Sequence, residues 1–293
     1  MIPESFPATR AAALARLTHF APRAGQAYAS GRNTDPGPDQ VGAVSKLSPY
    51  LRYRLITEQD VIGATLGRHS LPAAEKYVQE VLWRTYWKGW LEMRPSVWTQ
   101  FQQERDHQRD SFPNARAIRS AEAGETGIEG FDDWARELVE TGYLHNHARM
   151  WFASIWIFTL KLPWQLGADF FLRHLLDGDP AANTLSWRWV AGLQTAGKTY
   201  LVRRSNLEAY WPDAPGQGLN QLDGEPAIDI PPDTADRSRQ EITEIVESPG
   251  DTPSGLLLHE EDLSLECGPL RCFRPEAVHF WKMPPRSSLR AAW

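Results

Sequence analysis

The stretch Leu175–Trp189, LLDGDPAANTLSWRW, holds two carboxylates (Asp177, Asp179), an amide (Asn183) and two indoles (Trp187, Trp189). Carboxylates and amides hydrogen-bond to the edge of a polar heterocycle, and tryptophan offers a stacking face and a redox-active ring. Buried carboxylates are costly unless paired. The stretch is therefore poor material for a plain core helix and good material for the wall of an aromatic-cofactor pocket. A plainer reading also fits: Asp179 as N-cap, Pro180 at the first helical position and the tryptophans as core.

Three further groups carry chemistry. In Ala43–Leu51 (AVSKLSPYL), the hydroxyls of Ser45 and Ser48, the ammonium of Lys46 and nearby backbone N–H groups could hold a phosphate. Ser-rich turns are common, and a turn alone is the other reading. In Pro72–Met93, Glu80, Trp83, Arg84 and Trp87 fall at i, i+3, i+4 and i+7 and share a helix face. That stripe is either an amphipathic edge with a Glu80–Arg84 pair or a substrate wall. In the wall reading Trp83 stacks on a base, Glu80 bonds its edge and Arg84 neutralises its charge. In Tyr143–Leu160, Asn146, Arg149 and Met150 share a face, whereas His145 and His147, at i and i+2, do not converge on a metal.

The elements that must position these groups are helical. Thr9–Ser30 reads as a helix capped by Thr9 and broken near Pro22. Arg32–Gly42 is a loop, Thr57–Leu66 a short helix and Pro72–Met93 a long one. Arg94–Gly130 reads as two short helices and a loop. Phe131–Thr141, Tyr143–Leu160 and Gly167–Leu176 are further helices. Beyond Gly216 the composition turns to proline, glycine and acid. Asn220–Ser254 reads as linker or loosely packed wrap, with a small ordered element at Leu256–Leu265. The division expected is a helical domain over residues 1–215 and an acidic extension over 216–293.

Composition excludes several classes. In 293 residues there are thirteen tryptophans, eleven of them between Trp83 and Trp211, so the excess needs a local reason. No apolar run is long enough for a membrane span, and the N-terminus lacks the pattern of a signal peptide. Two cysteines make neither a disulfide framework nor a four-cysteine cluster. A cytoplasmic protein is expected. The net charge of −6 resides in the extension, which holds 14 acidic and 7 basic residues. The near-neutral remainder leaves room for a basic face.

The motifs DGD-x-A-A-N with W-x-W, S-x-L-S-P-Y-L, E-x-x-W-R and G-x-x-H-N-x-x-R-M resemble those of the DNA photolyase/cryptochrome family, over about residues 9–211. The resemblance implies an all-α FAD-binding domain without the family's α/β antenna domain, and no antenna chromophore. It assigns Tyr28, Ser45, Lys46, Leu47 and Ser48 to the cofactor's phosphate side, with Val44 where the family often has threonine. Around the ring it implies Asn183 at flavin N5, a buried Arg149–Asp177 ion pair, and Asp179 accepting from ring edge or ribose. Trp187 and Trp164 match the inner and middle members of an electron relay, with Trp90, Trp98 and Trp134 open as the third. The resemblance also implies a lesion pocket of Trp83, Glu80, Asn146, Met150 and Trp189, with Arg84 beside Trp83 and Trp189 meeting nucleic acid. Asparagine at 146, where the (6-4) branch has histidine, points to cyclobutane dimers. The function expected is light-driven repair of cyclobutane pyrimidine dimers by a lyase acting on damaged DNA, single-stranded or duplex. The alternative is a cryptochrome-like blue-light sensor.

Overall fold

The computed structural model describes residues 6–38, 40–195, 198–212, 233–241, 255–259 and 277–281, with 222, 230 and 263. The body is built from helices. The first is α1 (Arg10–Phe20), whose cap Thr9 accepts from Ala12 N at 3.1 Å. A tight turn through Pro22 ends it, as expected, before α2 (Gln26–Gly31). Then follow α3 (Ser48–Arg52), α4 (Glu58–Leu66) and α5 (Leu71–Glu92). α4 starts on a reciprocal capping box between Thr57 and Asp60.

The expected pair of short helices over Arg94–Gly130 is instead a long helix and a short one. α6 runs Pro95–Ser111 and α7 Ala115–Ala123. α6 is strongly polar, and its side chains find partners on a later helix: Gln165 Nε2 donates to Glu104 at 2.8 Å and Arg109 to Asp169 at 2.9 Å. α8 (Glu129–Thr141) ends at Gly142, whose φ of 70° closes the helix in the left-handed region. α9 (Asn146–Ser154) runs into a wider π-type turn at Ile155–Thr159. α10 (Trp164–His174) starts three residues before the expected Gly167. α11 (Pro180–Val190) starts on Asp179, and α12 (Arg204–Tyr210) closes the body.

Two large apolar clusters form most of the core of the described residues, with a smaller third around Leu91, Val97, Ala181 and Leu185. One joins α8 to α11 and is centred on Phe131, Trp151, Phe152, Trp156, Phe170 and Trp187. The other joins α1 to α5 around Phe20, Tyr28, Tyr50 and Tyr77 and includes Tyr143 and Leu176. Gly167 has no room for a side chain: a Cβ there would overlap the ring of Trp187. The clusters meet where Leu176 N donates to Gly142 O at 2.8 Å, beside the Asp-Gly-Asp turn.

Residues 233–241 form a strap over the turn between α5 and α6, where Gln240 N donates to Met93 O at 2.8 Å and Gln100 reaches Thr234 at 2.7 Å. Asp233 forms an ion pair with Arg188 of α11. Further on, β1 (Gly255–His259) pairs in parallel with β2 (Ala277–Trp281), Gly255 opposite Ala277. This ladder adds strand to a domain otherwise helical. Cys267 and Cys272 lie outside the described residues. Among those described, no helix is long and apolar enough to cross a membrane.

Candidate cofactor and substrate site

The Asp-Gly-Asp turn starts a helix, as the plainer reading expects. Asp179 caps α11: Oδ1 accepts from Ala181 N at 2.9 Å and Ala182 N at 2.8 Å. Its Oδ2 accepts from Arg84 at 3.0 Å, with Lys88 Nζ at 3.7 Å. These cations, Arg84 foremost, hold its pKa down against the opposing effect of burial. Asp179 was expected to accept from a ring edge or ribose. Its oxygens are instead engaged by the protein, because a buried carboxylate needs a counter-charge. Arg84 is correspondingly turned inward. Its pair with Glu80 is absent, Glu58 stands 3.9 Å away, and Nη2 donates to Arg52 O at 3.3 Å. The guanidinium expected to meet nucleic acid is committed to Asp179.

Asp177 behaves differently. Arg149 Nη2 donates to its Oδ2 at 2.9 Å, the pair expected, while Oδ1 is buried without a hydrogen-bond partner. Arg149 also donates to Leu144 O at 2.9 Å and lies 5.5 Å from the Tyr143 ring. Its pKa is raised, Asp177 outweighing burial. Lys46 comes to the same tyrosine, Nζ 5.4 Å from the ring centroid. Lys46 has a φ of 52°, unusual for a long side chain, and burial lowers its pKa. It makes no ion pair among the described residues.

The Tyr77 hydroxyl is buried without a hydrogen-bond partner, and burial pushes its pKa up to about 12. Tyr77 meets Tyr28 edge-on at 4.9 Å. Burial raises the pKa of Tyr28 as well, so the hydroxyl stays protonated as a donor. Tyr28 and Leu47 have core side chains, whereas Ser48 is exposed at the start of α3. Glu80 is open to solvent yet hemmed in by protein, which raises its carboxyl pKa through desolvation.

At the rim, Trp83 is 46% exposed and Trp189 36%. Trp83 stacks on Trp87 at 5.5 Å, and Trp189 on Tyr200 at 5.5 Å. Asn146, exposed on the first turn of α9, points Nδ2 at Met150 Sδ, 3.9 Å away. Asn183 is nearly buried. Its Nδ2 donates to Ala168 O at 2.9 Å, which leaves its Oδ1 as the free acceptor.

Trp187 and Trp164 are both buried but share no ring contact. Trp187 stands against Trp156 at 6.3 Å, while Trp164 meets Phe101 at 5.5 Å. Of the three open candidates for a third tryptophan, only Trp98 continues from Trp164, stacking on Phe101 at 5.3 Å. Trp134 packs with Trp151 and Trp211 in another column, and Trp90 lies under Arg94 and Arg237. Sequence reasoning missed Arg52, fully buried and donating to Gly178 O at 3.1 Å. Its nearness to the SPY motif was the available signal. It also missed Tyr143, the aromatic shared by Lys46 and Arg149.

The partnerless Asp177 Oδ1 asks for a donor such as a ring imide. Lys46, which makes no ion pair among the described residues, asks for an anion. A buried acceptor without a donor and a half-buried ammonium at either end of the Tyr143–Arg149 contact suit a ligand with both a polar ring edge and an anionic group. Residues 77–212 match the family model of the FAD binding domain of DNA photolyase. A deoxyribodipyrimidine photo-lyase of Streptomyces griseus is 34% identical over 154 residues, covering 52% of this chain and 33% of its own. That of a Synechococcus strain is 33% identical over 196 residues, covering 61% and 38%. A class III photolyase of Agrobacterium tumefaciens superposes with a TM-score of 0.58 at 27% identity, covering 73% of this chain and 44% of that one. The chain thus spans between a third and two fifths of these curated relatives.

Proposed function

We propose that this chain binds FAD beside Lys46, Arg149, Asp177 and Asn183 and uses it to repair cyclobutane pyrimidine dimers in nucleic acid under blue light. The observation that carries the reading is the pairing of two halves in one site. An inner half has an unanswered acceptor on Asp177, and an outer half has half-exposed tryptophans beside the Asn146–Met150 contact. A plain cofactor store has no use for the second half.

In this reading Lys46, Ser45 and Ser48 hold the phosphate side. Arg149 and Asp177 grip the ring edge, Asp177 accepting from the imide. Asn183 Oδ1 accepts a proton-bearing ring nitrogen and so favours the reduced cofactor. When bound and reduced, the flavin supplies the light-driven electron. Everything else is positioning. Trp83 and Trp189 clamp the lesion after it leaves the stack, a step that is cheaper for a damaged base. The raised pKa of Glu80 makes its protonated form, a donor to a base carbonyl, easier to reach. Asn146 and Met150 close the opposite wall. Trp187 and Trp164 carry electrons inward from the surface side, and the unit doing this is residues 1–215.

The test is repair of one thymine dimer in a short single-stranded oligonucleotide by chemically reduced protein. Restored thymines in light and none in the dark are expected, and Trp83→Ala is expected to weaken dimer binding with flavin retained. Native repair and affinity in Trp83→Ala would dismantle the lesion pocket. Bound, reducible flavin without repair would leave the blue-light sensor.

A further inference from the structure

The substrate wall of α5 does not stop at Trp83. Trp83, Tyr86, Trp87 and Trp90 fall at i, i+3, i+4 and i+7, and all four are at least partly accessible, Tyr86 at 53%. Tyr86 stands edge-on to both Trp83, at 5.4 Å, and Trp87, at 5.1 Å. The stripe spans roughly 10 Å of helix. Its far end is occupied by charge rather than by apolar packing. Arg94 lies 4.6 Å from the Trp90 ring centroid and Arg237 5.5 Å from it.

Arg237 is brought there by the strap. Arg94 Nε donates to Arg237 O at 3.1 Å, and Ser96 donates to Asp236 O. Arg237 Nη2 in turn donates to Gln194 O at 3.0 Å, in the turn that follows Trp189. One residue of the extension therefore bridges the two walls that carry the exposed tryptophans. Arg239 lies next to it, Nε 3.1 Å from Met93 Sδ. Arg94, Arg237 and Arg239 make no ion pair among the described residues. Two nearby acids are already used: Asp233 by Arg188, and Asp236 by the Ser238 amide at 2.9 Å. Glu92 and Glu241 are exposed on the same side and limit the excess of positive charge.

We infer that the strap completes a strand-binding surface, with unpaired bases stacking along Trp83, Tyr86 and Trp87 and the phosphates running onto Arg94, Arg237 and Arg239. The partner is a single-stranded nucleic acid extending out of the lesion pocket, because exposed ring faces beside guanidinium groups suit stacked, unpaired bases and not a closed duplex. This rests on the proposed function for the position of the lesion. The acidic extension, which by charge repels nucleic acid, contributes its arginines to the face that binds it.

The experiment is fluorescence anisotropy of labelled, undamaged twelve-residue oligothymidylate with the full chain across a salt series. Each phosphate contact on a single strand contributes about 0.7 to the slope of log affinity against log salt. Arg237→Ala is expected to lower the slope by about 0.7 and weaken binding about fivefold at 0.1 M salt. Adding Arg239→Ala should double the change in slope, and Arg237→Lys should restore the native slope. Binding of a thymine dimer within a bare dinucleotide, too short to reach Trp90, should be unchanged. Unaltered slopes in both variants would overturn the inference. So would wild-type protein that repairs the dinucleotide but ignores the oligothymidylate, a result that spares the proposed function. A reduced slope in a protein without any repair would support the surface and remove the repair reading. Equal thermal melting of the variants and the wild type excludes a folding artefact.

Discussion

Asp233→Ala tests whether the extension holds the site helix. Arg188 lies on α11 between Trp187 and Trp189, its side chain 4% exposed, and Asp233 is 14% exposed. Removing one partner of a buried pair leaves the other charge uncompensated, a loss of about 3–5 kcal/mol. Among the described residues the strap is otherwise held by a few hydrogen bonds, by Arg237 on the Trp90 ring and by Ala235 against the Leu91 cluster, and its end at Asp233 can admit water. The lower end, about 3 kcal/mol, is therefore expected. For a domain of this size that is a fall in Tm of roughly 6–12 °C. Urea unfolding followed by far-ultraviolet circular dichroism reads it as a lower midpoint at unchanged slope. Replacing both partners with apolar residues, Arg188→Met with Asp233→Leu, should recover most of the loss, since the pair gains little over well-packed hydrocarbon. A loss below about 0.5 kcal/mol in Asp233→Ala would refute the reasoning and return the strap to the status of a surface ornament.

Other expectations are as direct. Gly167→Ala should cost about 1–3 kcal/mol by driving a methyl group into Trp187, visible as altered near-ultraviolet dichroism. Asp177→Ala should lower the flavin retained through purification, measured by absorbance at constant protein, while Asp179→Ala should chiefly lower stability. Burial lowers the pKa of His145 from 6.5 to about 4, so the folded state binds fewer protons than the unfolded one between those values. Stability from this group is complete above pH 6.5 and is lost as pH falls towards 4, and His174, also lowered to about 4, acts in the same direction. His145→Asn keeps a cap acceptor for His147 N without the titration, and its stability should vary less over that range.

Local chemistry was readable from the chain, and partners across it were not. Asp179 with Pro180 behind it announced a helix start, and the spacing of Asn146 and Met150 placed both on one turn. Arg84 shows the limit. At i+4 from Glu80 it invited a helical pair, but the buried Asp179, 95 residues away in sequence, binds it instead. Nothing in local spacing reveals that competition, since the energy lies in desolvation. The length of α6 is hidden for a related reason: its polar run has little apolar periodicity, and its partners Asp169 and Gln165 are on α10. Composition reads 220–254 as linker or loosely packed wrap, because it counts charges without showing that Asp233 is neutralised or that Arg237 rests on an indole.

The wide turn at Ile155–Thr159 sets a phase. Leu160 N donates to Ile155 O at 2.9 Å, one residue further back than an α-helix allows. One surplus residue corresponds to about 100° of rotation about the helix axis. Upstream are Asn146, Arg149 and Met150, and downstream are Leu162 and Trp164. The helix ends at Thr159, and an irregular stretch through Leu162 and Pro163 leads to Trp164 on α10, so the surplus residue sets the direction in which the chain leaves. A single-residue deletion here would close the turn to an α-helix and rotate that exit by about the same angle. Length is therefore a conserved quantity of this segment in the mechanical sense: it behaves as a gear tooth rather than as a spacer.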